Sequence, residues 1–177
     1  MLSPAERGFS FHPEDGKQAP QFLTQEELSM FVPNYHFVLH ERLYSIGVLK
    51  EGETLDLIFP SRQHDNSNSE AEYIYEGTIG DDWIFIYFMG PNKKTSSHKH
   101  PHEGVVIEED YHLLRGKMFL HLGGDGSSQV ELTENNNFTT VPPNTLHRGS
   151  TDGHFAFVLV RMRGAASIPR DKLHIPD

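Results

Sequence analysis

The stretch that decides the fold is HKHPHEGVVIEEDYHLLRG, residues 98–116. It opens on two histidines, His98 and His100, that are separated by one residue. Residues two apart on a β-strand point to the same face. If this segment is a strand, both imidazoles enter one space, as two ligands of a single ion must.

The same stretch continues with Glu109 and ends at Gly116. On a strand, Glu109 shares a face with Tyr111 and Leu113, so that one carboxylate lies above an apolar stripe. A lone carboxylate in such surroundings needs a partner or a cation. Gly116 suits the turn at the end of the strand, because glycine accepts backbone angles that other residues avoid.

A third piece, Pro142-Pro143-Asn144-Thr145-Leu146-His147, predicts a tight turn that leads His147 onto the next strand. Three histidines and one glutamate make a site of nitrogen and oxygen ligands. That set suits one divalent ion, Fe, Mn, Co, Ni or Zn. The chain has no cysteine, so thiolate ligands are excluded.

The surroundings of these pieces have a pattern typical of strands. Short apolar stretches with β-branched and aromatic residues follow one another, separated by Gly, Pro and Asn, which predicts an all-β sandwich or barrel. The stretches are Thr54–Phe59, Glu72–Tyr75, Trp83–Phe88, Val105–Ile107, Tyr111–Leu114, Lys117–Leu122, Gln129–Leu132, Phe138–Val141 and Phe155–Met162. Gly123-Gly124-Asp125-Gly126 predicts a hairpin.

The N-terminal region has another character. Residues 1–23 indicate an irregular lead-in, and Thr24-Gln25-Glu26-Glu27 resembles a capping box that predicts a short helix ending before Pro33. Residues 35–50 fit a helix or strands equally well. We therefore divide the chain into an extension, 1–50, that packs on the barrel, and a barrel domain, 51–177, with a C-terminal tail.

Composition narrows the classes of partner. The chain has 177 residues, which suits one domain, and a net charge of −10, which disfavours nucleic acid. No apolar run approaches the roughly 20 residues that cross a bilayer, so we expect no membrane partner. No signal peptide is recognisable. With cysteine absent, we expect a cytoplasmic protein.

The three pieces resemble, in order, the two sequence motifs of the cupin superfamily. The first motif runs His-x-His, three or four residues, Glu, six residues, Gly. The second contains Pro-x-Gly-x-x-His. His98, His100, Glu109 and Gly116 match the first motif, and His147 matches the end of the second.

This chain departs from the motifs in spacing and in three residues. Eight residues separate the paired histidines from Glu109, so His102 rivals His98 as a ligand, and Glu103 or Glu108 rivals Glu109. Asn144 stands where the second motif has Gly, a mild change because both accept a left-handed backbone. The other two replaced motif positions are Asn136, for the leading Gly, and Thr151, for the Asn after the histidine.

The resemblance implies a cupin-type antiparallel β-barrel, or double-sheet jelly roll. One divalent ion would lie at one end of it, on His98, His100, Glu109 and His147. Glu109 would be the catalytic residue if the ion does not hold it.

Candidates for binding substrate are Tyr111, Arg161 and Arg163. The two arginines share a strand face, which makes an anion clamp conceivable beside an ordinary surface role. Tyr111 is predicted to lie on the same strand face as Glu109. Its alternative role is that of an ordinary core residue.

Three functions are compatible with these residues. The first is an isomerase or epimerase of a small oxygen-rich substrate of the sugar or sugar-phosphate type. The second is an Fe(II)-dependent dioxygenase, and the third is a non-enzymatic barrel that binds a small ligand. Cupins commonly pair through edge strands, so we expect a homodimer.

Overall fold

A computed structural model describes residues 9–13, 43–47, 50, 55–59, 71–100, 104–169, 172 and 175–176. This part of the chain is built almost entirely of strands. They are β1 (Phe9–Pro13), β2 (Leu55–Phe59), β3 (Glu72–Ile79), β4 (Asp82–Met89), β5 (His98–Lys99), β6 (Glu109–Gly116), β7 (Met118–Leu122), β8 (Ser128–Leu132), β9 (Phe138–Val141), β10 (His147–Ser150), β11 (Ala156–Met162) and β12 (Ile175–Pro176).

The strands form two sheets. One sheet has seven strands in the order β1-β2-β3-β4-β11-β6-β9, and the other has five in the order β12-β5-β10-β7-β8. All neighbours are antiparallel except β1 and β2, which run parallel. The prediction of an all-β, mostly antiparallel double sheet is confirmed.

Within the described residues, one apolar core lies between the facing sides of the two sheets. Alternate residues of each strand supply it, because side chains on a strand point to opposite faces in turn. The seven-stranded sheet contributes Phe85, Tyr87, Met89, Tyr111, Leu113, Val158, Val160 and Met162, and the five-stranded sheet contributes Met118, Leu120 and Leu132.

The outer face of the larger sheet is also buried around β4 and β11. Ile84, Ile86, Phe157 and Leu159 are each fully buried, although they alternate with the core residues. Both strands are central in their sheet. This burial on two faces explains why they read as continuous apolar runs rather than as an alternating pattern.

A bulge and a glycine end β6. The register between β6 and β11 shifts between Phe157 and Val158. Gly116 has a φ of +88°, and a Cβ there would lie 2.0 Å from the carbonyl oxygen of Phe155. Only glycine fits this close approach of two backbones. The position corresponds to the glycine that closes the first cupin motif.

Most predicted stretches are strands, with two differences. Residues 105–107 form no strand and carry only a bridge at Val105. Phe9–Pro13, predicted as part of an irregular lead-in, pairs with β2. The run FSFHP lies among residues rich in Pro, Gly and charge, and its partner lies more than forty residues away, so local pattern could not reveal the pairing.

The predictions about the hairpin and about the two ends of the chain have mixed outcomes. The hairpin at Gly123–Gly126 connects β7 and β8, and the C-terminal tail packs on the barrel through β12 and the buried Ile168. Residues 43–47 form a helical turn in which Leu43 is fully buried. The short helix after Thr24 lies outside the described residues, and the division at residue 50 stays a prediction.

Within the part of the chain described above, no helix has the length and apolar character needed to cross a membrane.

Candidate metal centre

Three strands begin with a residue of the predicted site. β5 begins at His98, β6 at Glu109 and β10 at His147. His147 is the direct cross-strand partner of His98 in the smaller sheet. Glu109 lies in the facing sheet, and His100 follows β5 immediately. The two facing sheets thus bring the four side chains together.

The four side chains converge on one point. One ligand atom from each of His98, His100, Glu109 and His147 lies within 4.8 Å of the others. The residues are 6%, 5%, 3% and 1% exposed. Four side chains of these types in such a small buried volume form a group that could hold one metal ion.

Backbone carbonyls orient two of the imidazoles. Nδ1 of His98 lies 2.8 Å from the carbonyl oxygen of Ser96. Nδ1 of His147 lies 2.8 Å from that of Thr145. A carbonyl only accepts, so each Nδ1 donates its proton, and Nε2 is the ring nitrogen left to face the centre of the group.

Glu109 lies between two histidines. Its Oε2 atom is 3.0 Å from Nε2 of His100 and 2.7 Å from Nε2 of His147. Nevertheless, Oε2 of Glu109 and Nε2 of His147 are buried and have no hydrogen-bond partner of acceptable geometry in the described part of the chain. Buried polar atoms in this situation are costly, and a cation on their lone pairs removes that cost.

The protonation states also fit a cation. Burial, with neighbouring His147, lowers the pKa of His98 from 6.5 to about 4. Burial opposes ionisation of Glu109, yet His100 and His147 beside it hold the pKa of that carboxyl well below its usual value. A neutral imidazole and an ionised carboxylate are the states that bind metal ions. The donor set therefore fits a divalent ion.

Two threonines hold the segment that leads into β5. The Thr95 hydroxyl accepts a hydrogen bond from the Gly149 amide at 2.8 Å, and the Thr95 amide donates one to the Gly149 carbonyl at 3.0 Å. The Thr151 hydroxyl accepts from the amide of Lys93 at 2.9 Å and donates to the carbonyl of Gly90 at 2.8 Å. Sequence reasoning missed this role, although Thr151 stands at a replaced motif position.

Tyr111 lies beside the group, as its parity with Glu109 predicts. It is 4% exposed, and its ring meets the ring of His147 edge-on at a centroid distance of 6.0 Å. His112 points to the other face of the sheet, where its ring lies tilted against the ring of Phe138 at a centroid distance of 4.8 Å. The alternation along β6 thus separates the candidate site from the outer face.

The two arginines do not face the group. Arg161 is paired with Asp110 across the strands and Met162 with Glu109, so Arg161 lies on the face opposite to Glu109. The Nε of Arg161 donates to Asp82 at 2.7 Å, and the Nε of Arg163 donates to Asp110 at 2.7 Å. Both arginines therefore lie in ion pairs with carboxylates on that face, and a role for them in binding a substrate stays a prediction.

Of the three rival ligands, the structure describes only Glu108. Glu108 does not join the group, and its carboxylate lies 4.0 Å from the guanidinium of Arg163. His102 and Glu103 lie outside the described residues, so their rivalry with His98 and Glu109 stays open. Asn144 has a φ of +56°, which is the left-handed backbone predicted for its motif position.

Several solved structures share parts of this fold. A cupin-like protein from Thermotoga maritima is 18% identical over 50% of this chain and 62% of its own, with a TM-score of 0.42. A double-stranded β-helix protein from Klebsiella pneumoniae is 20% identical over 58% of this chain and 84% of its own, with a TM-score of 0.43. A DMSP lyase structure is 17% identical over 73% and 64%, with a TM-score of 0.47.

At these identities the likeness concerns the fold alone. The match spans less than two thirds of the Thermotoga maritima protein and of the DMSP lyase. No protein-family model matches the chain, and no curated protein matches its sequence. The two facing, mostly antiparallel sheets and the four-residue group are the double-sheet architecture and the site that the resemblance to cupins implied.

Proposed function

We propose that the chain is a metal-dependent enzyme that binds a small oxygen-bearing molecule at one divalent ion. His98, His100, Glu109 and His147 would hold the ion. The observation that carries this proposal is the convergence of four buried ligand atoms within 4.8 Å of one another. Gathering four such groups in the interior costs free energy, and a cation bound among them offsets that cost.

The residues of the site would have different roles. When bound, the ion supplies Lewis-acid polarisation of a substrate oxygen. The carbonyls of Ser96 and Thr145 keep two imidazoles in the tautomer that presents Nε2. Glu109 lies between His100 and His147, so we assign it to the ion rather than to proton transfer.

Tyr111 is our candidate for proton transfer. It packs against His147 without belonging to the ligand group, and its phenol carries a dissociable proton. An isomerase or epimerase needs a group of this kind next to a polarised oxygen. We therefore favour isomerisation or epimerisation as the reaction, with Tyr111 holding or moving the proton.

The ligand set itself favours a second candidate, an Fe(II)-dependent dioxygenase. Histidine and carboxylate ligands with open positions also suit non-haem iron. Oxygen dependence separates the two. An isomerase turns over anaerobically with Mn, Co, Ni or Zn, whereas a dioxygenase requires both iron and oxygen.

Elemental analysis of protein purified without a histidine tag tests the metal site. We expect about one equivalent of Fe, Mn, Co, Ni or Zn in the unaltered chain and its loss in His147→Ala. His154→Ala is the matched control, because His154 is exposed and should leave the metal content unchanged. No metal in the unaltered chain, even after reconstitution, would overturn the proposal.

A further inference from the structure

The turn between β10 and β11 holds an aspartate in an uncommon backbone conformation. Its residues are Thr151-Asp152-Gly153-His154. The amide of His154 donates to the carbonyl of Thr151 at 2.9 Å, which closes a four-residue β-turn. Asp152 has a φ of +42° and Gly153 has one of +86°. Positive φ at both central residues is the signature of a type I′ turn.

An Asp-Gly pair is a sequence in which the backbone can rearrange without an enzyme. The amide nitrogen of the glycine attacks Cγ of the protonated aspartate, and no side chain on the glycine obstructs the approach. The N–Cγ bond forms while the Cγ–O bond breaks, and the carboxyl hydroxyl leaves as water with the amide proton. Water then opens the succinimide ring at either carbonyl. Opening at the backbone carbonyl leaves isoaspartate, in which the chain runs through the former side chain.

The turn at Asp152 is close to the conformation that this ring requires. Closure of the ring restricts ψ of the aspartate to the range of the first central residue of a type II′ turn. That residue also has a positive φ, as Asp152 already does. A flip of the one peptide plane between Asp152 and Gly153 converts a type I′ turn into a type II′ turn, and glycine accepts both conformations.

The two reacting groups of this pair are also accessible. Asp152 and Gly153 are both exposed. Within the described residues, neither the carboxylate of Asp152 nor the amide of Gly153 makes a hydrogen bond. No hydrogen bond therefore has to break before the nitrogen attacks.

The other Asp-Gly pair that the structure describes, Asp125-Gly126, is held in place. Oδ1 of Asp125 accepts from the amide of Ser127 at 3.0 Å. The amide of Gly126 donates to the carbonyl of Gly123 at 3.1 Å. Hydrogen bonds from the hydroxyl and the amide of Ser127 also lower the pKa of Asp125, which reduces the protonated form that can lose water.

From this contrast we propose that Asp152-Gly153 is a site of spontaneous isoaspartate formation in the folded protein. The change adds one backbone atom between Thr151 and His154, so the hydrogen bond that closes the turn is lost. Thr151 ties the segment before β5 to the end of β10 through its hydroxyl. The modification therefore loosens the end of the strand that begins with His147.

Ageing of the folded protein at neutral pH, followed by peptide mapping with electron-transfer fragmentation, measures isoaspartate at each pair. Two hydrogen bonds must break at Asp125-Gly126, so we expect isoaspartate to form about tenfold faster at Asp152 than at Asp125. Protein unfolded in guanidinium chloride is the control, because the reacting residues are then identical and the two rates should be similar. Asp15-Gly16, outside the described residues, is scored separately.

Equal rates at the two pairs in the folded protein, or no isoaspartate at Asp152, would overturn the proposal. So would an excess at Asp152 that persists in the unfolded chain, because the neighbouring sequence rather than the turn would then explain it.

Asp152→Gly tests the effect on the fold. Glycine suits both central positions of a type I′ turn, and the variant cannot form isoaspartate at this position. The midpoint of urea denaturation should fall on ageing in the unaltered chain and stay constant in the variant. An equal fall in both proteins would contradict the loosening of the turn.

Discussion

His98 shows how burial adjusts a single residue to a metal site. Its imidazole is 6% exposed and donates Nδ1–H to the carbonyl of Ser96. The pKa of His98 falls to about 4 because of burial and the neighbouring His147. Such a side chain stays neutral at physiological pH, with its Nε2 lone pair available.

The lowered pKa predicts how the stability of the metal-free protein depends on pH. Below pH 6.5 the unfolded chain binds a proton at His98, whereas the folded chain does so only near pH 4. The free energy of unfolding should therefore decrease as pH falls from 6.5 to 4, by up to about 3 kcal/mol from this residue. Urea denaturation with a chelator present measures it.

His98→Gln is the comparison for that prediction. Glutamine does not titrate, so the variant should lose stability less steeply over the same pH interval. If the two proteins show the same dependence on pH, then His98 is not the residue that couples stability to protons.

Residue-scale patterns allowed much of the site to be predicted. The parity of β-strands placed Glu109 and Tyr111 on one face and His112 on the other, and positive φ was predicted for Asn144 from its motif position. Parity also predicted that Arg161 and Arg163 share a direction, although β11 ends at Met162, before Arg163. It could not show which direction, because the pairing with Asp82 and Asp110 depends on the tertiary fold.

At the scale of elements, the approach to β5 is held by side chains rather than by a long ladder. β5 has only two residues, and the segment before it is tied to the end of β10 through Thr95 and Thr151. Thr151 is fully buried. These contacts fix where His98 lies relative to His147.

Thr151 is therefore expected to be a positioning residue for the metal ligands. In Thr151→Val the amide of Lys93 and the carbonyl of Gly90 lose their side-chain partner, and stability should fall by about 1–3 kcal/mol. The affinity for zinc, measured against a competing chelator, should fall by about tenfold. Thr151→Ser keeps the hydroxyl and should restore the affinity.

Thr133→Val is the control for the loss of a threonine hydroxyl. Thr133→Val removes a hydroxyl that accepts from Asn136 at an exposed turn, so it should leave the affinity for zinc unchanged. If Thr151→Val loses stability yet binds zinc as tightly as the unaltered chain, the threonine supports the fold without positioning the ligands.

At the scale of the whole molecule, long-range pairing limited what the sequence could predict. The strands that surround the site follow one another closely as short apolar stretches between turn residues, so the barrel was predicted. β1 and β12 carry no comparable pattern, and each finds its partner through the fold. The spacing between His100 and Glu109 exceeds the family motif, so position alone did not decide among the rival ligands.

The outer strands of the sheets lead to our last prediction, a homodimer. In the described residues, β8 pairs only with β7 and β9 only with β6, so each presents one edge. Exposed edges favour pairing with a second chain. Light scattering should give twice the mass of one 20.2 kDa chain. Dilution through the micromolar range is the control, and a mass of one chain throughout that range would contradict the dimer.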